Sequence, residues 1–182
     1  MIDSEQASRA LADIDDIAKR VRQSTIYQLA SLMMIMWGLL VVGGNLATYL
    51  TPRYAGYAWL AVYGVGIAGW VALSASHYGR MRIRTFDARM LLAFLLFLAF
   101  GMFTGALGHF HARQLSTFWT IYFMLAYTIA GLWTGVAFVA IGLSITALTL
   151  IGYFYIGQGF DLWMAAVNGG GLILGGLWMR RE

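Results

Sequence analysis

Residues 117–156 run for forty positions without one charged side chain. As a single helix at 1.5 Å per residue, that run would be about 60 Å long, twice the hydrocarbon thickness of a bilayer. It must therefore be two segments. The stretch Gly131-Leu132-Trp133-Thr134-Gly135 is the place where the chain can turn between them. The spacing predicts a very tight connection, and a chain obliged to fold this way has lipid as part of its solvent.

The remainder agrees. Of the 182 residues, 60% are hydrophobic and 11% charged, against roughly a quarter charged in a typical soluble domain. A soluble fold of this size has too much surface to hide so much apolar side chain. Six stretches are long enough to cross: 28–50, 56–76, 90–108, 117–133, 135–156 and 162–179. In lipid, backbone groups must be paired within the segment, which selects helices over open strands. The expected fold is an all-α integral membrane protein, a six-transmembrane-helix bundle built from three helical hairpins. The hairpin turns fall near 51–56, 109–116 and 157–161.

Basic residues orient it. With the N-terminus inside, the cytoplasmic set is Arg9, Lys19, Arg20, Arg22, Arg80, Arg82, Arg84, Arg89, Arg180 and Arg181, and the outer set is Arg53 and Arg113. That asymmetry follows the positive-inside rule and places both termini in the cytoplasm. The expected location is the cytoplasmic (inner) membrane of a bacterium. Arg80, Arg82, Arg84 and Arg89 are read as contacts to anionic lipid head groups. A loop of this size has no room for a nucleic-acid-binding module.

Residues 1–27 are read as a separate cytoplasmic helix leading into the bundle. Ala7, Leu11, Ile14, Ala18 and Val21 keep a four-three spacing that forms one apolar face. Asp3 with Gln6 three residues on is a capping start. The acidic residues Asp3, Glu5, Asp13, Asp15 and Asp16 do not suit a cleavable signal, so the first span is expected to be a retained anchor. The helix is expected to lie on the membrane surface, with a self-associating seam as the alternative.

Each return span opens with a tryptophan (Trp59, Trp119, Trp163) and ends with another (Trp70, Trp133, Trp178), the pattern of two aromatic belts. Hairpin one also matches hairpin three. Sliding 37–66 onto 141–170 gives seven identities, among them Trp59 with Trp163 and Gly66 with Gly170, where composition alone gives roughly three. The Trp37-Gly38, Gly43-Gly44 and Pro52 punctuation of hairpin one resembles the repeated-hairpin acid-stress membrane proteins of bacteria. The later hairpins lack equivalent prolines, and no function or site residue is carried over. Glycines at four-residue spacing, Gly101 with Gly105, Gly131 with Gly135 and Gly171 with Gly175, are read as helix-packing faces. The dense run Asn168-Gly169-Gly170-Gly171 leaves three uses open: packing within the chain, a subunit interface, or a locally unwound helix beside a ligand.

All twelve basic and all eight acidic residues fall in predicted tails or loops. Membrane-buried ionisable groups mark proton relays and ion pathways, so a proton-coupled pump is not expected. Polar side chains inside the spans cluster toward the outer surface at Asn45, Thr48, Tyr63, Thr104, Thr120, Thr149 and Asn168. All sit in the outer third and define a candidate lining for an uncharged solute or ligand. The bland reading is interhelical hydrogen bonding. His109 and His111 form an exterior pH or metal candidate pair, while His77 lies at the opposite face and cannot join them.

There is no cysteine, which excludes disulfides and thiolate chemistry. No phosphate loop, paired carboxylates or metal-binding His-Glu helix is present. Gly142-Leu143-Ser144 lacks a nucleophile elbow and has no histidine at its depth to act as base. An enzyme is not expected, nor a cofactor or resident metal. The expectation is a passive channel or facilitator for a small uncharged solute, as a homo-oligomer. The alternative is a non-transporting accessory, sensor or stress-protective protein acting through partner proteins or a bound apolar ligand.

Overall fold

The structure, a computed structural model, describes residues 4–81 and 88–181, and their side chains except for 4–10, 15–26, 77–81, 88, 90 and 91. Helix α1 (Ser4–Leu50) leads through a short 3-10 turn (Pro52–Tyr54) into α2 (Ala55–Met81). Then come α3 (Ala88–Leu107), α4 (Ala112–Thr134) and α5 (Val136–Tyr155). The last stretch is α6 (Phe160–Met164), a π-helical turn (Ala165–Gly170) and α7 (Gly171–Met179). Among the described residues there is no strand. Five segments are long and apolar enough to cross a membrane: Tyr27–Leu50, Pro52–Ser76, Ala112–Thr134, Val136–Tyr155 and Phe160–Met179. Leu92–Leu107 of α3 is apolar but shorter. An all-helical integral membrane protein fits this set.

Local chemistry sets each turn. Pro52 removes a backbone donor and bars helical geometry at Thr51, which sits at φ −136°, ψ 69°, so α1 stops. Between α4 and α5 a single residue suffices. Gly135 adopts φ 146°, ψ 156°, a region that only glycine occupies without strain. Its N–H closes α4 on the Gly131 carbonyl at 3.0 Å. The tight connection expected at 131–135 is therefore present. Between α3 and α4, His109 takes a left-handed φ of 45°. His111 then opens α4, its backbone N–H donating to Gln114 Oε1 at 3.0 Å.

The packed centre lies between α1, α4, α5 and α7, and includes Met34, Met124, Ile141, Ile145, Val167 and Leu172. In lipid, helices associate through close packing and not through exclusion of water. The α1–α7 crossing shows how close. A Cβ on Gly38 would stand 2.7 Å from the Gly169 carbonyl oxygen, and one on Gly169 would stand 2.8 Å from the Val42 nitrogen. Ser31 Oγ donates to the Gly176 carbonyl at 2.7 Å. On its other side α7 meets α5, with Gly171 against Ile145 and Gly175 against Ile141. The glycine run is thus used for packing within one chain, on two faces. Helix α2 packs mainly on α1, and α3 packs on α4. There Tyr122 stacks on Phe97 at 4.1 Å between centroids and donates its hydroxyl to the Phe97 carbonyl at 2.9 Å.

Trp59, Trp119 and Trp163 share one packing role. Trp59 lies against Gly44, Trp119 against Gly101 and Trp163 against Gly152. In each hairpin the return helix lays an indole into the notch that a glycine leaves on the preceding helix. In hairpins one and three the anchoring positions coincide under the sequence alignment. Trp59 packs on Gly44 and donates to Thr48 Oγ1 at 3.1 Å. Trp163 packs on Gly152, the counterpart of Thr48, and donates to the carbonyl of Leu148, the counterpart of Gly44, at 2.9 Å.

Arg113 and Asp161, expected in loops from the sequence, lie instead in the first turns of α4 and α6. Both helices begin earlier than expected because their first turns find partners on neighbouring helices.

Candidate functional site

The seven polar side chains expected to line a path do not form one group. Asn45 is 3% exposed, yet its amide donates to the Val41 carbonyl of its own helix at 2.8 Å. Thr48 donates to the Gly44 carbonyl at 2.8 Å and takes the Trp59 bond. Tyr63 is exposed on the flank of α2, with its ring 5.9 Å from that of Trp59. Thr104 is exposed on α3 and donates to the Phe100 carbonyl at 2.8 Å.

Two of the seven meet, and a third is buried at their level. Asn168, in the π turn, donates from Nδ2 to Thr120 Oγ1 on α4 at 3.0 Å. Thr149, on α5, lies at the same level. Gly175 meets Ile141 and Gly171 meets Ile145, so one turn further along this antiparallel pair brings Thr149 level with Val167 and Asn168. Thr149 is 0% exposed, and its hydroxyl has no hydrogen-bond partner among the described residues. Other threonines in or at the ends of helices behave differently. Thr48, Thr51, Thr104, Thr117, Thr128, Thr134 and Thr146 all donate to the carbonyl four residues back, at 2.7–2.9 Å. Thr120 and Thr149 make no such bond. Their hydroxyls are the ones left available to the interior.

A second constellation escaped the sequence reading. Arg113 reaches from the first turn of α4 to the C-terminal end of α5. Its Nη2 donates to the carbonyls of Gly152 at 3.1 Å and Tyr153 at 2.6 Å, and to that of Ile156. Its guanidinium lies 4.6 Å from the Phe160 ring centroid and 5.4 Å from that of Tyr153. The last carbonyls of a helix lack intrahelical donors and carry the negative end of its dipole, so a cation there satisfies both. One signal could have pointed to it: Arg113 is the one charged residue between Arg89 and Asp161. A shallow cleft of ≈ 360 Å³ opens beside it, lined by His111, Arg113, Gln114, Tyr153 and Phe154.

His109 and His111 are exposed at this end. His111 starts α4, and its Nδ1 lies 3.3 Å from Gln114 Oε1. Among the described residues no group of three or more His, Cys, Asp or Glu is placed to hold a metal ion. Arg82 and Arg84 lie outside the described residues, as does the side chain of Arg80. Arg89 stands exposed in the first turn of α3. His111 and Arg113 thus share one cleft, whereas the Asn168–Thr120 pair stands two turns further along α4. No family model, curated protein or solved structure matches this chain.

Proposed function

We propose that this protein is a non-transporting membrane protein that acts through partner proteins, with the part of α1 ahead of the first span as the contact element. The observation that carries this reading is the filled centre of the bundle. Met34, Met124, Met164 and Met179 are fully buried there, and unbranched methionine fills irregular gaps well. The polar layer at Asn168 occupies one level, and apolar core residues continue along α5 and α7 beyond it. Beyond that level the hydroxyls of Ser31, Thr128 and Thr146 are each spent on a backbone carbonyl, which leaves a solute no free polar track among the described residues.

The contact element is an extension of the first span. Helix α1 continues without a break from Tyr27 back to Ser4. At 1.5 Å per residue those 23 residues add about 35 Å of helix. Leu11 and Ile14 are 67% and 63% exposed on it. We further propose six crossings with both termini in the cytoplasm of a bacterial cell. The 20 residues of α3 reach about 30 Å, enough for a thin crossing, and the basic residues favour the side that carries the termini.

A photo-crosslinking side chain at position 11 or 14, introduced in living cells, tests the contact element. The expected result is a discrete protein adduct that Leu11→Asp with Ile14→Asp abolishes. Labelling of lipid alone would overturn this reading.

The facilitator reading keeps one supporting observation, the Asn168–Thr120 pair beside the buried Thr149 hydroxyl. In that reading the layer is a neutral selectivity point, and copies of the chain associate through α2 or α3.

A further inference from the structure

The Thr149 hydroxyl is fully buried in the membrane bundle without a partner among the described residues. A hydroxyl removed from water and left unpaired is costly, and native structures rarely keep one that a buried water does not serve. Two further hydrogen-bonding atoms stand at its level. The Thr120 hydroxyl accepts from Asn168 but donates to no carbonyl of its own helix. The Asn168 carboxamide has used an N–H on Thr120, and its oxygen is an acceptor.

The chemistry selects the occupant. No charged side chain lies in the chain between Arg113 and Asp161, so no counter-charge for an ion stands on α5. Three neutral oxygens are too few for a dehydrated cation, which takes about six or more. They suit a water, which when buried makes about three hydrogen bonds. We propose that Thr120, Thr149 and Asn168 form a hydration site for a single water molecule at the π turn. That water accepts hydrogen bonds from the Thr120 and Thr149 hydroxyls and donates one to Asn168 Oδ1. It joins α4, α5 and the last span at the point where the α-helical ladder is interrupted, and π turns recur at functional positions in helices. The site stands whether or not the protein transports.

Water-to-protein magnetisation transfer tests it, on isotope-labelled protein in deuterated detergent. The expected result is a cross-peak from water to the Asn168 side-chain amide protons. It persists in Thr149→Ser, which keeps the hydroxyl, and in Thr146→Val, whose hydroxyl serves its own helix. It is lost in Thr149→Val, and the thermal midpoint of that variant falls. Absence of the cross-peak from the unsubstituted protein would overturn the proposal. So would a rise in midpoint for Thr149→Val, because replacing a truly unpaired hydroxyl by a methyl group stabilises. If Thr149→Val does not fold, the unsubstituted protein and Thr149→Ser still decide.

Discussion

Asn168 donates to Thr120 across 48 positions of sequence, at 3.0 Å, and so ties the π turn of the last span to α4. Among the described residues it is the one side-chain-to-side-chain hydrogen bond between helices that are not neighbours in the chain. Bonds of this kind in membrane bundles are worth about 0.6–1.7 kcal/mol. A double-mutant cycle with Asn168→Leu and Thr120→Val should return a coupling of that order by detergent-phase unfolding. The same cycle on Asn45 and Thr120 should return none.

Arg113 holds the end of α5 by bonding three carbonyls from another helix. A hydrogen bond to a charged group contributes about 1.5–3 kcal/mol. Arg113→Ala should cost an amount of that order and speed amide exchange in the last turn of α5. Arg113→Lys should recover part of the loss, since a compact ammonium reaches fewer acceptors than the guanidinium fork.

The glycines separate into two classes. Gly38 and Gly169 stand backbone to backbone at the α1–α7 crossing, whereas a methyl group added at Gly43 or Gly64 would meet nothing within 4 Å. Gly169→Ala should lower the unfolding midpoint because two backbones must separate. Gly64→Ala should be neutral or stabilise by up to about 1 kcal/mol through helix propensity, leaving the midpoint unchanged or raised.

Gly135 forms the whole connection between α4 and α5, at a backbone conformation closed to other residues. Gly135→Ala should destabilise by about 1–3 kcal/mol. Gly157→Ala, at a turn residue of ordinary conformation with open space around it, is the control and should have little effect.

Much of this architecture was legible in the residues. Apolar length alone located the five long apolar helices, and the uncharged run required a reversal at 131–135. The end of α1 at Leu50 agrees with the turn expected near 51–56. The rest depended on pairing between helices that sequence spacing does not encode. Arg113 read as a loop cation because its acceptors are backbone carbonyls, which every sequence possesses. The outer tryptophans read as a belt because their glycine partners lie on another helix. The polar residues read as one lining because depth can be counted along a span, whereas facing cannot. Asn45 and Thr48 turn to their own helix, Tyr63 and Thr104 lie exposed on flanking helices, and Asn168 and Thr120 alone bond to each other.

Six crossings make a simple labelling prediction, aided by the absence of native cysteine. Single cysteines at Ser8 and Arg181 should react with an impermeant maleimide from the same side of the membrane. A cysteine at Gln158 should react from the opposite side. Labelling of Ser8→Cys and Arg181→Cys from opposite faces would reduce the count to five and remove α3 from the membrane.

The central claim is that the bundle is closed to solute, and osmotic relaxation of proteoliposomes tests it most directly. Glycerol and urea, small and uncharged, are the probes. A closed bundle predicts relaxation rates equal to those of protein-free vesicles, unchanged by Asn168→Leu. A protein-dependent rate that falls to the lipid baseline in folded Asn168→Leu would contradict it and establish the polar layer as a conduction path.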